Sequence, residues 1–321
     1  MQLVSRAPTP EEEISTLPPV SSRQSKFRRW GTILLFLLPS VILYAVFVLL
    51  PVVQAGYYSF FDWSGLGPLT DFIGLKNYAL AFKDKVFLAA LGHNLLIVVL
   101  SLVIQLPLSL LLALVLGKSL PGRTFFRAIF FLPFILSDVV VGVLWSFIFR
   151  PEGGLLNATL QLVIPGYQLQ LWLGDPKMVL ISIFIVITWK YFGLHLVLYS
   201  AGLQNIPDEI TEAAYIDGAS WFDVVRYITL PLLGSTIRIT ILLSVLGSLQ
   251  YFDLVWVMSQ GGPVHASETL TTYLITYGFK SFAMGYGSTV GVFMFMICFV
   301  FALMYQRFIM RQDLAGSVGE A

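Results

Sequence analysis

Charge is what this sequence has least of. Of 321 residues, 12% are Asp, Glu, Lys or Arg and 57% are hydrophobic, whereas a soluble domain carries about 25% charged residues. The shortage is uneven, because it comes from long apolar runs, and about 20 such residues span a bilayer. A soluble globular fold is excluded on that ground, and the chain reads as an all-α, polytopic membrane protein. Cysteine is nearly missing too. Cys298 stands alone, so no internal disulfide forms and cysteine usage leaves the redox compartment open. A net charge of +1 without any basic block gives no footprint for nucleic acid. No G-x-x-x-x-G-K-[ST] occurs, so nothing here cradles ATP phosphates, and no cofactor is expected in this chain. His93, His195 and His265 are the three histidines. They lie in separate segments without ligand spacing, and neither a metal site nor a nucleophilic site has support. His195, inside an apolar run, reads as a hydrogen-bonded packing residue.

What is present is apolar, and it is organised. Residues 1–29 read as an N-terminal tail, the first 25 of them rich in Pro, Ser, Thr and Glu and of disordered composition. Candidate spans follow at 31–53, 93–116, 125–149, 177–201, 232–258 and 286–309, inside a transmembrane domain over 30–310, with a second tail at 311–321. Pro39, Pro107 and Pro133 fall inside spans, where neighbouring helices can satisfy the freed carbonyls. With the N-terminus inside, the inner segments carry twelve Lys and Arg and the outer segments six. That bias predicts both termini in the cytoplasm, and it makes 202–231 the longest inner loop.

This loop, "GLQNIPDEITEAAYIDGASWFDVVRYITLP", interrupts the grease with charge. Asn205 is a candidate cap, Pro207 suits a first turn, and Asp208 with Glu209 complements a helix N-terminus. The helix is predicted to run to about Ile216 and stop at Gly218 in a left-handed conformation. Ser220, with Asp223 three residues on, predicts a second helix ending before Pro231. An amphipathic loop can simply rest on headgroups. Here, though, four acids lie between Asp208 and Asp217 and no Lys or Arg comes before Arg226, a poor match to an anionic leaflet. A protein partner is the better reading.

"EAAYIDGAS" followed by "ITLP" resembles the EAA signature of permease subunits in bacterial binding-protein-dependent ABC importers. Glu212, Ala213, Ala214, Asp217, Gly218, Ala219 and Ser220 fall on it, followed by Ile228, Leu230 and Pro231. Val225 departs from the aromatic residue often found there. "PGRTFFRAIFFLP", "GVLWSFIFRPEGGLLN", "AGLQNIP" and "FDLVWVMSQGGP" extend the resemblance along nearly the whole chain, to the carbohydrate-uptake branch and its maltose- and glycerol-phosphate-type first permeases. The resemblance implies a loop that docks on a cytoplasmic ATP-binding cassette ATPase dimer, which hydrolyses the ATP. It also implies a second permease subunit, an extracytoplasmic substrate-binding protein, and a cytoplasmic (inner) membrane of a bacterium or archaeon.

Polar groups within spans are the candidates for a solute path. Ile187, Lys190, Tyr191 and Leu194 share a face of the fourth span, and Ser244, Gly247, Ser248 and Tyr251 a face of the fifth. The resemblance puts a transmembrane sugar site at these eight positions, but the residue types differ from the maltose-type permease, so the sugar's identity does not carry over. Tyr191 and Tyr251 offer ring faces and hydroxyls, and Ser244 and Ser248 offer hydrogen bonds. Against this, Ser244, Gly247 and Ser248 also suit close helix packing, which is the stronger reading for those three. Lys190 needs a partner or water, since a central lysine costs about 2.5–3.5 kcal/mol on insertion scales. Asp138 is one partner, Asp253 a weaker one, and a solute hydroxyl or anion another; structural pairing is favoured.

The expected function is therefore the transmembrane permease of a sugar importer working by alternating access. An importer of glycerol phosphate or another anionic sugar-like solute stays open. A secondary transporter or channel would lean on Asp138 alone as a proton relay, and a membrane enzyme would need clustered acids or metal ligands.

Overall fold

The computed structural model describes residues 22–117 and 122–310. Lys118, residues 1–21 of the N-terminal tail and the C-terminal tail over 311–321 lie outside the described residues. The first described helix begins at Ser22, inside the stretch read as tail.

Two units are described separately, one to Gln54 and one from Ala55. The first holds α1 (Ser22–Tyr44), a π-helical turn Ala45–Leu49, and the start of α2 (Leu50–Tyr58). In the second, short α3 (Lys76–Lys83) precedes α4 (Lys85–Leu100), which passes through the π-turn Ser101–Gln105 into α5 (Leu106–Leu116). After it come α6 (Arg123–Ile135), α7 (Asp138–Ile148), α8 (Leu155–Val163) and the long α9 (Val179–Gln204). The loop region holds α10 (Asp208–Ile216), α11 (Trp221–Val224), the π-turn Val225–Thr229 and α12 (Leu230–Leu232). The chain closes with α13 (Gly234–Leu249), α14 (Asp253–Met258), α15 (Leu270–Tyr273), the π-turn Leu274–Lys280, α16 (Met284–Tyr305) and the π-turn Gln306–Met310. Among the described residues the only β-pairing is the isolated bridge Phe61–Phe72.

Five of these helical stretches are long and apolar enough to cross a membrane: Trp30–Tyr58, Lys85–Leu116, Val179–Gln204, Gly234–Met258 and Met284–Ile309. The third expected span is not a straight helix. Its halves, α6 and α7, meet at 95°, and only as a pair do they raise the number to six. Leu136 and Ser137 are extended between them. The fifth span is also interrupted, at 250–252, between α13 and α14.

Proline placement explains three of the π-turns. Pro51, Pro107 and Pro231 each follow a π-turn and one leucine, and in each case that leucine N–H reaches the carbonyl five residues back. Proline has no N–H to give, and its ring strikes the carbonyl four residues before it. A wider turn moves that carbonyl away. The second loop helix therefore does not end before Pro231 as expected, but runs through it.

α9 is the most buried of the spans, and its buried residues include Lys190 and His195. Val186, Ile183, Val141, Leu254 and Val255 form one core around it. Leu196, Tyr199, Leu203, Leu233 and Ala113 form another at the loop end. Phe87, Leu270, Tyr273 and Val290 form a third. Gly193 lets α6 touch α9, because a Cβ there would lie 1.9 Å from the Phe130 carbonyl oxygen. Outward faces stay apolar, with Leu111, Ile135 and Leu303 exposed. Such a surface is unfavourable in water and ordinary in lipid.

Candidate functional site: a cavity at two helix breaks, and a separate loop

A cavity of about 300 Å³ opens where both interrupted spans face α9. The start of α7 brings Asp138 to it, and the gap between α13 and α14 brings Gln250, Tyr251, Phe252 and Asp253. Seven of the eight expected path residues line it together: Ile187, Tyr191 and Leu194 from α9, and Ser244, Gly247, Ser248 and Tyr251 from the fifth span.

Lys190 is the exception. It is buried, 2% exposed, and is not part of the lining. Its ammonium donates to the Leu136 carbonyl and pairs with Asp138 Oδ1 at 3.4 Å. The arrangement answers a local need, because α6 ends at a free carbonyl and α7 begins with free N–H groups. A cation suits the first terminus and a carboxylate the second. Lys190 thus holds the two halves of the third span at their bend. Asp138 has a second partner as well, accepting from the Tyr191 hydroxyl at 3.1 Å.

The Tyr191 and Tyr251 rings meet edge to face at 5.9 Å and form an aromatic corner of the cavity. An added Cβ at Gly247 would meet nothing within 4 Å, so this glycine faces open space and does not serve close helix packing. Ser248 does the opposite, because its hydroxyl bonds Ser101 at 3.3 Å. The Ser244 hydroxyl and His195 Nδ1 are buried without a hydrogen-bond partner, so His195 is packed, as expected, but its Nδ1 lacks the expected hydrogen bond. Gln105, Leu243, Gln250 and Phe252 complete the wall. The sequence offered a signal for His195, which stands four residues after Tyr191 on the same face, and none for Gln105.

The second place of interest is the loop. α10 has no buried residue, an amphipathic helix that the described residues leave uncovered. It ends in a complete Schellman motif: Gly218 N–H donates to Tyr215 O at 3.1 Å and Ala219 N–H to Ala214 O at 2.9 Å. Gly218 has φ +88°, a left-handed value that side chains resist. Ser220 and Asp223 then form the expected capping box. The two hydrogen bonds from Ser220 hold the Asp223 carboxyl below the ordinary aspartate range. Asn205 does not cap α10; it is the C-cap of α9, and Pro207 stands at the N-cap of α10. Glu212, Asp208, Thr211, Tyr215 and Trp221 line a groove of about 590 Å³ beside the helix. Ala213, Asp217 and Ser220 are exposed and Ala214 and Ala219 half-buried. Ile216 stands out at 86% exposure.

The chain is 37% identical over 276 residues to the probable ABC transporter permease protein YurN of Bacillus subtilis (strain 168), covering 85% of this chain and 94% of that one. It is 30% identical over 310 residues to the diacetylchitobiose uptake system permease protein NgcF of Streptomyces coelicolor, covering 93% and 87%. Among solved structures, a chain of a bacterial alginate ABC transporter, in complex with an alginate pentasaccharide-bound periplasmic protein, superposes with a TM-score of 0.78. The overlap covers 88% of this chain and 95% of that chain at 22% identity, a likeness of fold. Residues 105–313 match the family described as binding-protein-dependent transport system inner membrane component, and the chain belongs to that family of ABC transporter permeases.

Proposed function

We propose that this chain forms one half of a sugar-conducting pore in the cytoplasmic membrane of a bacterium or archaeon, and that the cavity at the two helix breaks is where the sugar passes. The cavity chemistry carries the reading. Tyrosine rings, an unpartnered serine hydroxyl and an unpartnered imidazole nitrogen share one small space, and sugars need apolar ring contact beside a few placed polar groups. The diacetylchitobiose relative supports a saccharide. The cavity also favours a neutral solute over glycerol phosphate or another anionic one. Its lining has two carboxylates, Asp138 and Asp253, and no Lys or Arg. The nearby Lys190 is withdrawn into its pair with Asp138.

The energy comes from elsewhere. On this reading α10 and the turn at Gly218 face the cytoplasm and dock on an ATPase dimer, with Glu212, Ala213, Ala214, Asp217, Gly218, Ala219 and Ser220 at the contact. Both termini are cytoplasmic. A second permease completes the pore, and a substrate-binding protein delivers the sugar from outside. ATP is bound and hydrolysed by the ATPase, so this subunit transports and does not catalyse.

The test is reconstitution of the complete importer in proteoliposomes, with Gly218→Val beside the wild type. Val adds a branched side chain at φ +88° and changes the docking turn. The expected result is ATP-dependent sugar uptake in the wild type, and an assembled variant in which binding-protein-stimulated ATPase and uptake are both lost. Normal stimulated ATPase in Gly218→Val, or ion-driven uptake by this chain alone, overturns the proposal.

A further inference from the structure

Where α13 stops, its last carbonyls lose their helical partners, and at membrane depth each needs another donor. Four successive carbonyls are supplied by side chains from distant segments. Asn94 Nδ2 donates to Ser248 O at 2.9 Å and to Leu249 O at 3.2 Å. Thr271 Oγ1 donates to Gln250 O at 3.4 Å, and Thr269 Oγ1 to Tyr251 O at 2.9 Å. Asn94 also accepts from Leu270 N at 2.8 Å with its remaining oxygen. Its neighbour His93 donates from Nδ1 to the Glu268 carbonyl at 2.8 Å.

We infer that Asn94 is the positioning residue of the conducting cavity. It is fully buried and does not line the cavity, yet two of its three hydrogen bonds fix the turn that carries Gln250, Tyr251 and Phe252 into the cavity wall. The same amide group binds the start of α15, so the wall and the 266–273 segment are held as one piece. Asn is suited to this because one planar amide offers two donors and an acceptor at once. Leu has the same branched skeleton, is bulkier by its two methyl groups, and offers none. An ionised Asp would accept from Leu270 but place a charge against two carbonyls. A shift of the 266–273 segment is then passed to Tyr251 through Asn94, Thr269 and Thr271. This functional consequence rests on the cavity being the sugar path; the placement of the turn does not.

The chain carries its own reporter. Gln250 Nε2 lies 3.6 Å from Sγ of Cys298, the single cysteine, which is half-buried, so a displaced turn opens that thiol further. The experiment measures N-ethylmaleimide alkylation of Cys298 by mass spectrometry, in the complete reconstituted importer, for wild type and Asn94→Leu, with sugar uptake measured in parallel. Alkylation at least fivefold faster, with uptake at least tenfold lower in the assembled variant, is the expected result. A background cysteine, Ala113→Cys, buried at the loop end, separates a local shift from general loosening. It should stay unlabelled, and its labelling in Asn94→Leu overturns the inference. Alkylation of Cys298 in Asn94→Leu at the wild-type rate overturns it too, whatever uptake does. Faster alkylation with normal uptake supports the positioning and counts instead against the cavity as the sugar path. Should Asn94→Leu fail to assemble, Thr271→Val removes one peripheral donor and is expected to double the rate; an unchanged rate there overturns the inference equally.

Discussion

Two spans of this protein are broken, and the breaks are held by opposite chemistries. At 136–137 the repair is ionic: Lys190 supplies the Leu136 carbonyl and pairs with Asp138 at 3.4 Å. At 250–252 it is neutral, with one amide and two hydroxyls distributed over four carbonyls. Both breaks open onto the same cavity. The ionic repair is strong but depends on one residue and leaves a costly orphan if that residue is removed. The neutral repair is shared, so it should weaken in steps.

Replacing Lys190 tests the contrast most sharply. Lys190→Met leaves the Asp138 carboxylate without its counter-charge and the Leu136 carbonyl without a donor. Asp138 is 26% exposed, so the loss falls at the low end for a buried pair, about 3 kcal/mol. Thermal unfolding of the purified complex should show it. Adding Asp138→Asn should restore part of the loss, because the stranded charge is gone while the carbonyl stays unsatisfied. A single variant as stable as the wild type would show that the ionic repair is dispensable.

Gly193→Ala strikes the same break through packing. A Cβ there meets the Phe130 backbone oxygen at 1.9 Å, and backbone cannot move aside as a side chain can. α6 must retreat from α9, which lengthens the reach from Lys190 to Leu136. Overpacking of this kind costs about 2 kcal/mol, read as a lower unfolding midpoint. Combined with Lys190→Met the losses should be less than additive, since both act on one contact.

The ionic break was half legible in the sequence and the neutral one was not. A lysine among apolar residues demands a partner, and Asp138 was among the few acids within spans. Asn94, Thr269 and Thr271 raise no such demand, and the Asn94 contacts span 154 to 176 residues of chain. Neither bend shows in hydropathy, which measures how apolar a run is and not its direction. The π-turns were equally hidden. Leu38–Pro39 and Leu132–Pro133 carry the same dipeptide inside ordinary α-helix, so Leu–Pro alone does not decide the turn. The loop read well because its signals are local: the αL glycine and the Ser220–Asp223 box act within five residues. Of the cavity wall, periodicity placed the faces of α9 and α13 but missed Gln105, which another helix brings in.

Thr269→Val probes the shared repair with a smaller expected effect. Val keeps the shape and loses the donor to Tyr251 O and the acceptor for Thr272 N. An unpaired buried carbonyl costs about 1.5 kcal/mol, half of the Lys190 effect, because Asn94 and Thr271 still hold three of the four carbonyls. A loss equal to that of Lys190→Met would mean that the neutral break also hangs on one residue.

The smallest effect belongs to a helix start outside both breaks, where a charge and a hydroxyl cooperate in water. Ser220 bonds the Asp223 carboxylate with its hydroxyl and its N–H, and Asp223 N–H returns a bond to Ser220 Oγ. Because the folded carboxyl titrates below its ordinary value, it contributes stability that is complete above about pH 4 and is lost as the pH falls through the lowered folded value. Amide protection over 221–224 should therefore drop in acid in the wild type. In Ser220→Ala it should be a few-fold lower at neutral pH and fall less on acidification. Solvent screens this pair, so its removal should leave the unfolding midpoint of the complex nearly unchanged. A midpoint shift as large as that of Thr269→Val would place the loop's helix start in the same class as the membrane breaks, and the distinction between wet and dry repairs would fail.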